Sequence, residues 1–421
     1  MIERLDRWWR PRRRLGALVA ATIAAASSAA HADEEPEPAP APEPEPGPAP
    51  APAEPASSID VRASAEVSGY LDSVATTVLT PSIAGVIANP AAGWSLHGRY
   101  LVDVVSAASP DIVSTASPPF KEVRHAGNLG LRYKPGRFGV AADAFVSSSP
   151  DYLSGAGGIV LSEDLDDKNY TLTEGYHFGH DVIGRTGTSF SVFSRQLDTH
   201  SFTLGATTVA NPSLLVGLTA DVVLERGDPS KPYRYVPVFS PSIAPLVPAG
   251  ATVDFVAATR LQARPLEQLP LERARFALTG HTAWRLNGWM TLRFDERGYA
   301  DSWSQLASTT DGRLFFDLGR RVILWPHLRA HVQNGVSFWQ RAYIATGSDH
   351  LPALRTGDRE LSPLFNLGTG AGLRVALGKS GRVEDLTWTT TMDGTWTRFA
   401  DAIYVTRRWS AIHTTGMELT F

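Results

Sequence analysis

The chain has 421 residues, with 36 Gly, 30 Pro, 11 Trp, 17 Phe and no Cys, a hydrophobic share of 43% and a formal charge of −4. A mean hydropathy of −0.11 excludes a polytopic helical membrane protein, whose chain is dominated by apolar runs of about 20 residues. The missing cysteines exclude a disulfide framework, a thiolate zinc site and a cysteine nucleophile.

The charge is unevenly spread. Residues 1–32 carry Arg4, Arg7, Arg10, Arg12, Arg13 and Arg14 against Glu3 and Asp6, then an apolar run from Leu15 to Ala26 and the small-x-small site Ala30-His31-Ala32. That order predicts a secretory signal peptide cleaved after Ala32. Residues 33–58 read DEEPEPAPAPEPEPGPAPAPAEPASS, with ten prolines, seven acidic residues and no basic one. Such a segment has nothing to bury, so an extended, disordered linker is expected. At ~3.1 Å per residue it reaches roughly 80 Å. Taking the +4 leader and the −7 tether from the −4 total leaves −1 for residues 59–421. A near-neutral body gives no footprint for nucleic acid.

Residues 59–93 follow the tether. Asp60–Asp72 alternates well, whereas 73–92 is mildly apolar and contains Pro81 and Pro90. The segment supplies either two further strands or an inward-folding hatch.

From residue 94 onward the apolar period is two. Trp94, Leu96, Gly98, Tyr100, Val102 and Val104 alternate with Ser95, His97, Arg99 and Asp103; the same holds around Phe276 to Trp284 and around Leu386 to Met392. Period two is a strand signature. A soluble sandwich and a membrane barrel share it, with opposite faces wet. Polar positions rich in Arg, His, Asp, Asn and Gln favour a watery lumen. So do aromatics near strand ends (Trp94, Tyr133, Phe138, Tyr170, Phe178, Trp284, Trp289, Trp409) and connections alternating between short and long. The chain ends AIHTTGMELTF, with Met417, Leu419 and Phe421 two apart, which is similar to the terminal recognition strand of bacterial outer-membrane barrels. The expected fold is therefore all-β, a transmembrane antiparallel up-and-down barrel over 94–421, in the outer membrane of a Gram-negative bacterium.

With a periplasmic C-terminus, short turns fall at 134–137, 163–168, 210–213, 285–288, 318–321 and 378–383. Long loops fall near 106–119, 180–199, 227–272, 340–362 and 399–410. One strand is expected to run over 322–339. The count is about 14 strands, or 16 if residues 59–93 add a pair. The body resembles a family of bacterial outer-membrane barrels of unknown function. The matching pieces include YLVDVVSAASPD (100–111), KNYTLTEGYHFGHD (168–181), FTLGATTVANPSLLVGL (202–218), GDPSKPYRYV (227–236), YADSW (299–303), RAHVQNGVSFW (329–339) and TGDRELSPL (356–364). The resemblance implies a barrel at the outer membrane and brings no activity or ligand. Where the family has Arg-Tyr-Tyr, this chain has Arg329-Ala330-His331.

Arg329, His331 and Gln333 recur at spacing two and share one face. On a lumen wall they form either a selectivity constriction or a hydrogen-bonded ladder. Asp103, with Ser106, Ser109 and Asp111 beyond it, offers oxygens to a hard cation or caps its loop. Asp301 between Tyr299 and Trp303 reads as a turn former beside girdle aromatics. Asp358, Arg359 and Glu360 read as a salt-bridged loop, or as a loop folded inward to narrow the pore. His327 and His331 lack a third metal ligand, and no G-x-S-x-G motif is present, so no metal, cofactor or catalytic site is expected. Expected partners are outer-membrane lipid, the barrel-assembly machinery through the C-terminal strand, and a periplasmic partner for the acidic tail. The favoured function is a passive or gated channel for small polar solutes; the alternative is a non-conducting scaffold for a periplasmic or cell-surface partner.

Overall fold

Residues 59–107, 120–346 and 350–421 are described by a computed structural model. The leader, the acidic tether and the loop tip at 108–119 lie outside the described residues. About three residues in five from Asp60 onward sit in long strands, because one face of each is apolar and the other polar. The first half gives β1 (Asp60–Asp72), β2 (Thr76–Asn89), β3 (Trp94–Ala107), β4 (Phe120–Tyr133), β5 (Phe138–Ser149) and β6 (Tyr152–Leu165). Then come β7 (Tyr170–Ile183), β8 (Arg195–Asn211) and β9 (Leu214–Gly227). The second half gives β11 (Glu272–Asn287), β12 (Met290–Asp301), β13 (Leu306–Asp317), β14 (Val322–Gln333), β16 (Leu364–Ala376), β17 (Asp385–Phe399) and β18 (Arg407–Thr420). The two-residue strands β10 (Val238–Phe239) and β15 (Tyr343–Ile344) stand apart from these and pair in parallel with each other.

The long strands close into one antiparallel barrel of 16, each neighbouring the next in the chain, with β1 pairing β18 at the seam. Residues 60–89 are thus two staves of the wall rather than a hatch, and the barrel begins at Asp60 rather than Trp94. Pro81 has no N–H to give a ladder and is tolerated within β2 because pairing on one side is interrupted there. The β1 ladder runs through Val67↔Pro81, while the β3 ladder breaks between Leu79 and Ser82.

Outward positions on each strand are apolar and exposed: Leu79, Ile83 and Ile87 on β2, Leu129, Leu131 and Tyr133 on β4, Leu324, Leu328 and Val332 on β14. Tyr133, Phe138, Tyr170, Phe178, Trp284, Trp289 and Trp409 are all among the exposed side chains, as a lipid-facing belt requires. The start of β1, the end of β18 and the short connections (90–93, 134–137, 166–169, 212–213, 288–289, 318–321, 377–384) share one end. The other end holds the long connections.

Those long connections contain most of the buried apolar side chains. Segment 228–271 carries β10, a short helix α1 (Val253–Thr259) whose N-cap Thr252 accepts from Phe255 N, and the buried Phe239, Val247 and Val256. These pack with Ala342, Ile403 and Tyr404 from two other loops. Trp303, Val336 and Leu269 form a further cluster with Phe338 and Trp339. The strand expected to extend to residue 339 therefore stops at Gln333: the apolar run after it packs into this cap and not into lipid. Trp303, 4% exposed, is likewise a cap residue and not a girdle aromatic, and Tyr299 faces inward beside Arg273.

Candidate functional site in the lumen

The inward face is polar along its length. On β14 the odd positions His327, Arg329, His331 and Gln333 point inward, as their spacing predicts. Across the wall they meet inward residues of β13, β16 and β17. His327 Nδ1 lies 2.6 Å from Asp393 Oδ1 and its Nε2 lies 2.8 Å from Asp311 Oδ2. The His327–Asp393 contact spans β16, since His327, Gly370 and Asp393 lie in one register row. Only a glycine fits there: a Cβ on Gly370 would stand 2.1 Å from Asp393 Oδ1 and 2.4 Å from Met392 O.

His331 bonds Thr309 Oγ1 at 2.7 Å and Gln333 Oε1 at 3.1 Å. Gln333 Nε2 donates to the carbonyls of Glu360 and Ser362, at 2.7 and 3.0 Å. The 3₁₀ turn Arg359–Leu361 is thereby fixed against the lumen wall. Glu360 accepts from Arg408 at 2.7 Å. So the loop is both salt-bridged and folded over the wall, and the β14 residues stand in a hydrogen-bonded ladder. Together His327, Arg329, Gln333, Glu360, Asn366 and Thr395 line a cavity of about 480 Å³. Arg329 is 54% exposed and its nearest carboxylate, on Asp311, is 3.9 Å away. Neighbouring lumen positions add Arg293 against Asp295, Arg297 against Asp221 and Arg313 against Asp311.

Asp103 does not join this group. It is inward on β3, with β2, β1, β18, β17 and β16 between it and β14. Its carboxylate is held by Arg124 Nε at 2.7 Å and Thr80 Oγ1 at 2.5 Å, and residues 108–111 lie outside the described ones. Asp301 is a turn residue: it accepts from Trp303 N and Gln305 N, both at 2.9 Å, and from Arg273 Nε at 2.9 Å. Asp358 belongs to the cap. There Arg234 Nη1 bridges Asp358 at 2.7 Å and the buried Glu267 at 3.1 Å, and Thr356 Oγ1 donates to Glu267 at 2.6 Å. Burial alone would raise the Asp358 carboxyl, but Arg234 outweighs it and holds the group below the usual carboxylate range. Period-two spacing found the lumen residues of β14. It gave no sign of Asp311, Asn366 or Thr395, nor that Asp393, on the polar face of its strand, would meet His327, since these depend on strand register; nor of Arg234 and Glu267, which meet through loop tertiary structure. Among the described residues no cluster of three or more His, Asp or Glu is arranged to hold a metal ion.

A closed barrel with an apolar belted exterior and a wet polar interior defines a β-barrel protein of the outer-membrane type. The chain belongs to DUF3570, a family described as protein of unknown function, whose model matches residues 63–386. No curated protein matches. Among solved structures the chain is similar to CdiB from Acinetobacter baumannii, at 10% identity and a TM-score of 0.43, covering 86% of this chain and 60% of that one. It is also similar to the siderophore receptor PirA from Acinetobacter baumannii (9%, TM-score 0.40, 82% and 54%). A third is OccK2 of Pseudomonas aeruginosa, in complex with glucuronate (8%, TM-score 0.40, 86% and 98%). The chain thus spans little more than half the length of the first two.

Proposed function

We propose that the protein is an outer-membrane channel for small polar solutes, with the β14 cluster as its selective element. One observation carries this reading: charged side chains that point into the barrel stay wet. Arg329 and Arg293 are each 54% exposed and Glu66 is 40% exposed, which a lumen filled by side chains would not permit. Beside the cavity, Arg329 presents donors that no carboxylate engages closely, among the amide of Asn366 and the hydroxyls of Thr395 and Thr397. A solute carrying an anionic group gains most from such a wall, because guanidinium binds carboxylate and phosphate in two-point contact.

The test is planar-bilayer recording of the purified full chain under a salt gradient. Conductance is expected, and Arg329→Gln is expected to move the reversal potential toward cations. Absence of conductance from correctly folded protein would sink the channel reading. Conductance with an unchanged reversal potential in the variant would remove Arg329 from selection.

A further inference from the structure

At the end of the barrel where β1 begins and β18 finishes, basic side chains are unevenly supplied with partners. In the β4–β5 turn, Lys134 pairs with Asp164 at 2.7 Å and Arg137 pairs with Glu163. Arg285, beside the β11–β12 turn, pairs with Asp317. The arc formed by the β13–β14 and β16–β17 turns is different. Arg320, Arg321, Lys379 and Arg382 are all exposed, as is Arg374 on the inward face just above them. None of these five has an ion-pair partner among the described residues. Glu384, Asp385 and Glu418 stand near them, so the arc keeps an excess of two positive charges.

Backbone bonds tie this arc to the place where the acidic tether leaves the barrel. Ala376 N donates to Arg321 O at 2.8 Å, linking the two turns. Glu384 N donates to Thr420 O at 2.8 Å and Phe421 N to Val61 O at 2.9 Å. The β16–β17 turn, the C-terminal residue and the start of β1 therefore form one continuous stitched rim. Only β18 stands between β17 and β1, and neighbouring strands lie about 4.8 Å apart. Residues 33–58, with seven carboxylates and no cation, join the chain immediately before β1.

We propose that the acidic segment 33–58 docks on the basic rim formed by Arg320, Arg321, Lys379 and Arg382. Its point of attachment supplies a high local concentration, and its charge is opposite in sign to the rim. Arg374 faces the lumen beside the rim, so the docked segment lies at the terminal-end mouth. The proposal concerns a surface separate from the β14 cluster and holds whether or not the barrel conducts.

The absence of native cysteine makes a direct test clean. In the full chain, Ala51→Cys is combined either with Ser380→Cys in the β16–β17 turn or with Gly136→Cys in the β4–β5 turn. These turns lie in opposite directions round the barrel, the β4–β5 turn one strand further from β1, an offset that salt does not change, and Gly136 has open space where its Cβ would go. A short bismaleimide is expected to crosslink the 51/380 pair about tenfold faster than the 51/136 pair, the order that a few exposed ion contacts acting together give. In about 1 M salt, where the Debye length falls to ~3 Å, the preference should vanish. It should also vanish when Arg320, Arg321, Lys379 and Arg382 are all changed to Gln; a retained heat-modifiable gel shift would show that this variant folds. Equal rates at low salt, or a preference that survives both treatments, overturns the proposal. If the rim instead serves anionic phospholipid, the crosslinks are equal while the Gln variant loses binding to phosphatidylglycerol vesicles.

Discussion

Gly370 and Gly280 both lie mid-strand, yet a methyl group would act differently at each. At Gly370 it would meet Met392 O and Asp393 Oδ1 well inside contact distance, whereas Gly280 has nothing within 4 Å. Gly370→Ala must displace Asp393 from His327, so a loss of about 1–3 kcal/mol is expected, as for other overpacked sites. Gly280→Ala should be neutral, or stabilising by about 0.5–1 kcal/mol through the loss of glycine's unfolded-state freedom. Urea titration of the barrel in micelles measures both, and a neutral Gly370→Ala would contradict the crossing contact. Inward Gly130 and Gly158 play the same part for His97 and His177, whose rings occupy the space a Cβ would need. None of this is legible in sequence, where a strand glycine is simply a missing side chain. By contrast, the facing of Arg329, His331 and Gln333 follows from parity alone, and Asp301 reads as a turn former because a short polar acceptor can serve the backbone donors that follow it, here those of Trp303 and Gln305.

Among the elements, the strands and the cap differ in how far local pattern determines them. A strand needs only its alternation, which is why most of β3 to β18 can be placed from the sequence. β1 and β2 are harder, because Pro81 argues against a strand until its one-sided ladder is seen. The cap has no period: Val336, Phe338 and Trp339 look like a strand end and become core only when Leu269 and Trp303 arrive from other connections. Its charged centre makes a pH prediction. Because the folded Asp358 carboxyl sits below its usual value, about 3.9 in an unfolded chain, its contribution is complete above that value and is lost as the pH falls through the lower folded value. As the pH is taken well below about 3.9, segment 228–271 should become cleavable by pepsin, while it resists at pH 5. Asp358→Asn should remove that pH dependence and leave the segment cleavable at pH 5 as well. Equal resistance at both pH values in the native chain would show that apolar packing alone secures the cap.

At the scale of the molecule, residues 60–89 decide whether the barrel closes. A hatch would be dispensable for closure; two staves are not. Deleting residues 59–93 is expected to abolish the heat-modifiable gel shift of a closed barrel, and a deletion variant that keeps it would show that the remaining strands close without β1 and β2. Lipid and assembly machinery follow from the exterior belt and the C-terminal strand as expectations, and deletion of Phe421 addresses the second: slower insertion in cells with unimpaired refolding in detergent is the expected pattern. The seam has a kinetic consequence as well. Ser68 and Thr414, hydrogen-bonded across it at 2.7 Å, are 346 positions apart in the chain. Every other pair of neighbouring barrel strands is joined by a local hairpin or by one loop, so the barrel sheet can grow stepwise from any point along the chain. Closure alone must wait for the last strand, and until then β1 and the growing edge each present a row of unpaired backbone groups that invites aggregation. The slowest and most exposed moment in the life of this protein is therefore expected to be the joining of its two ends.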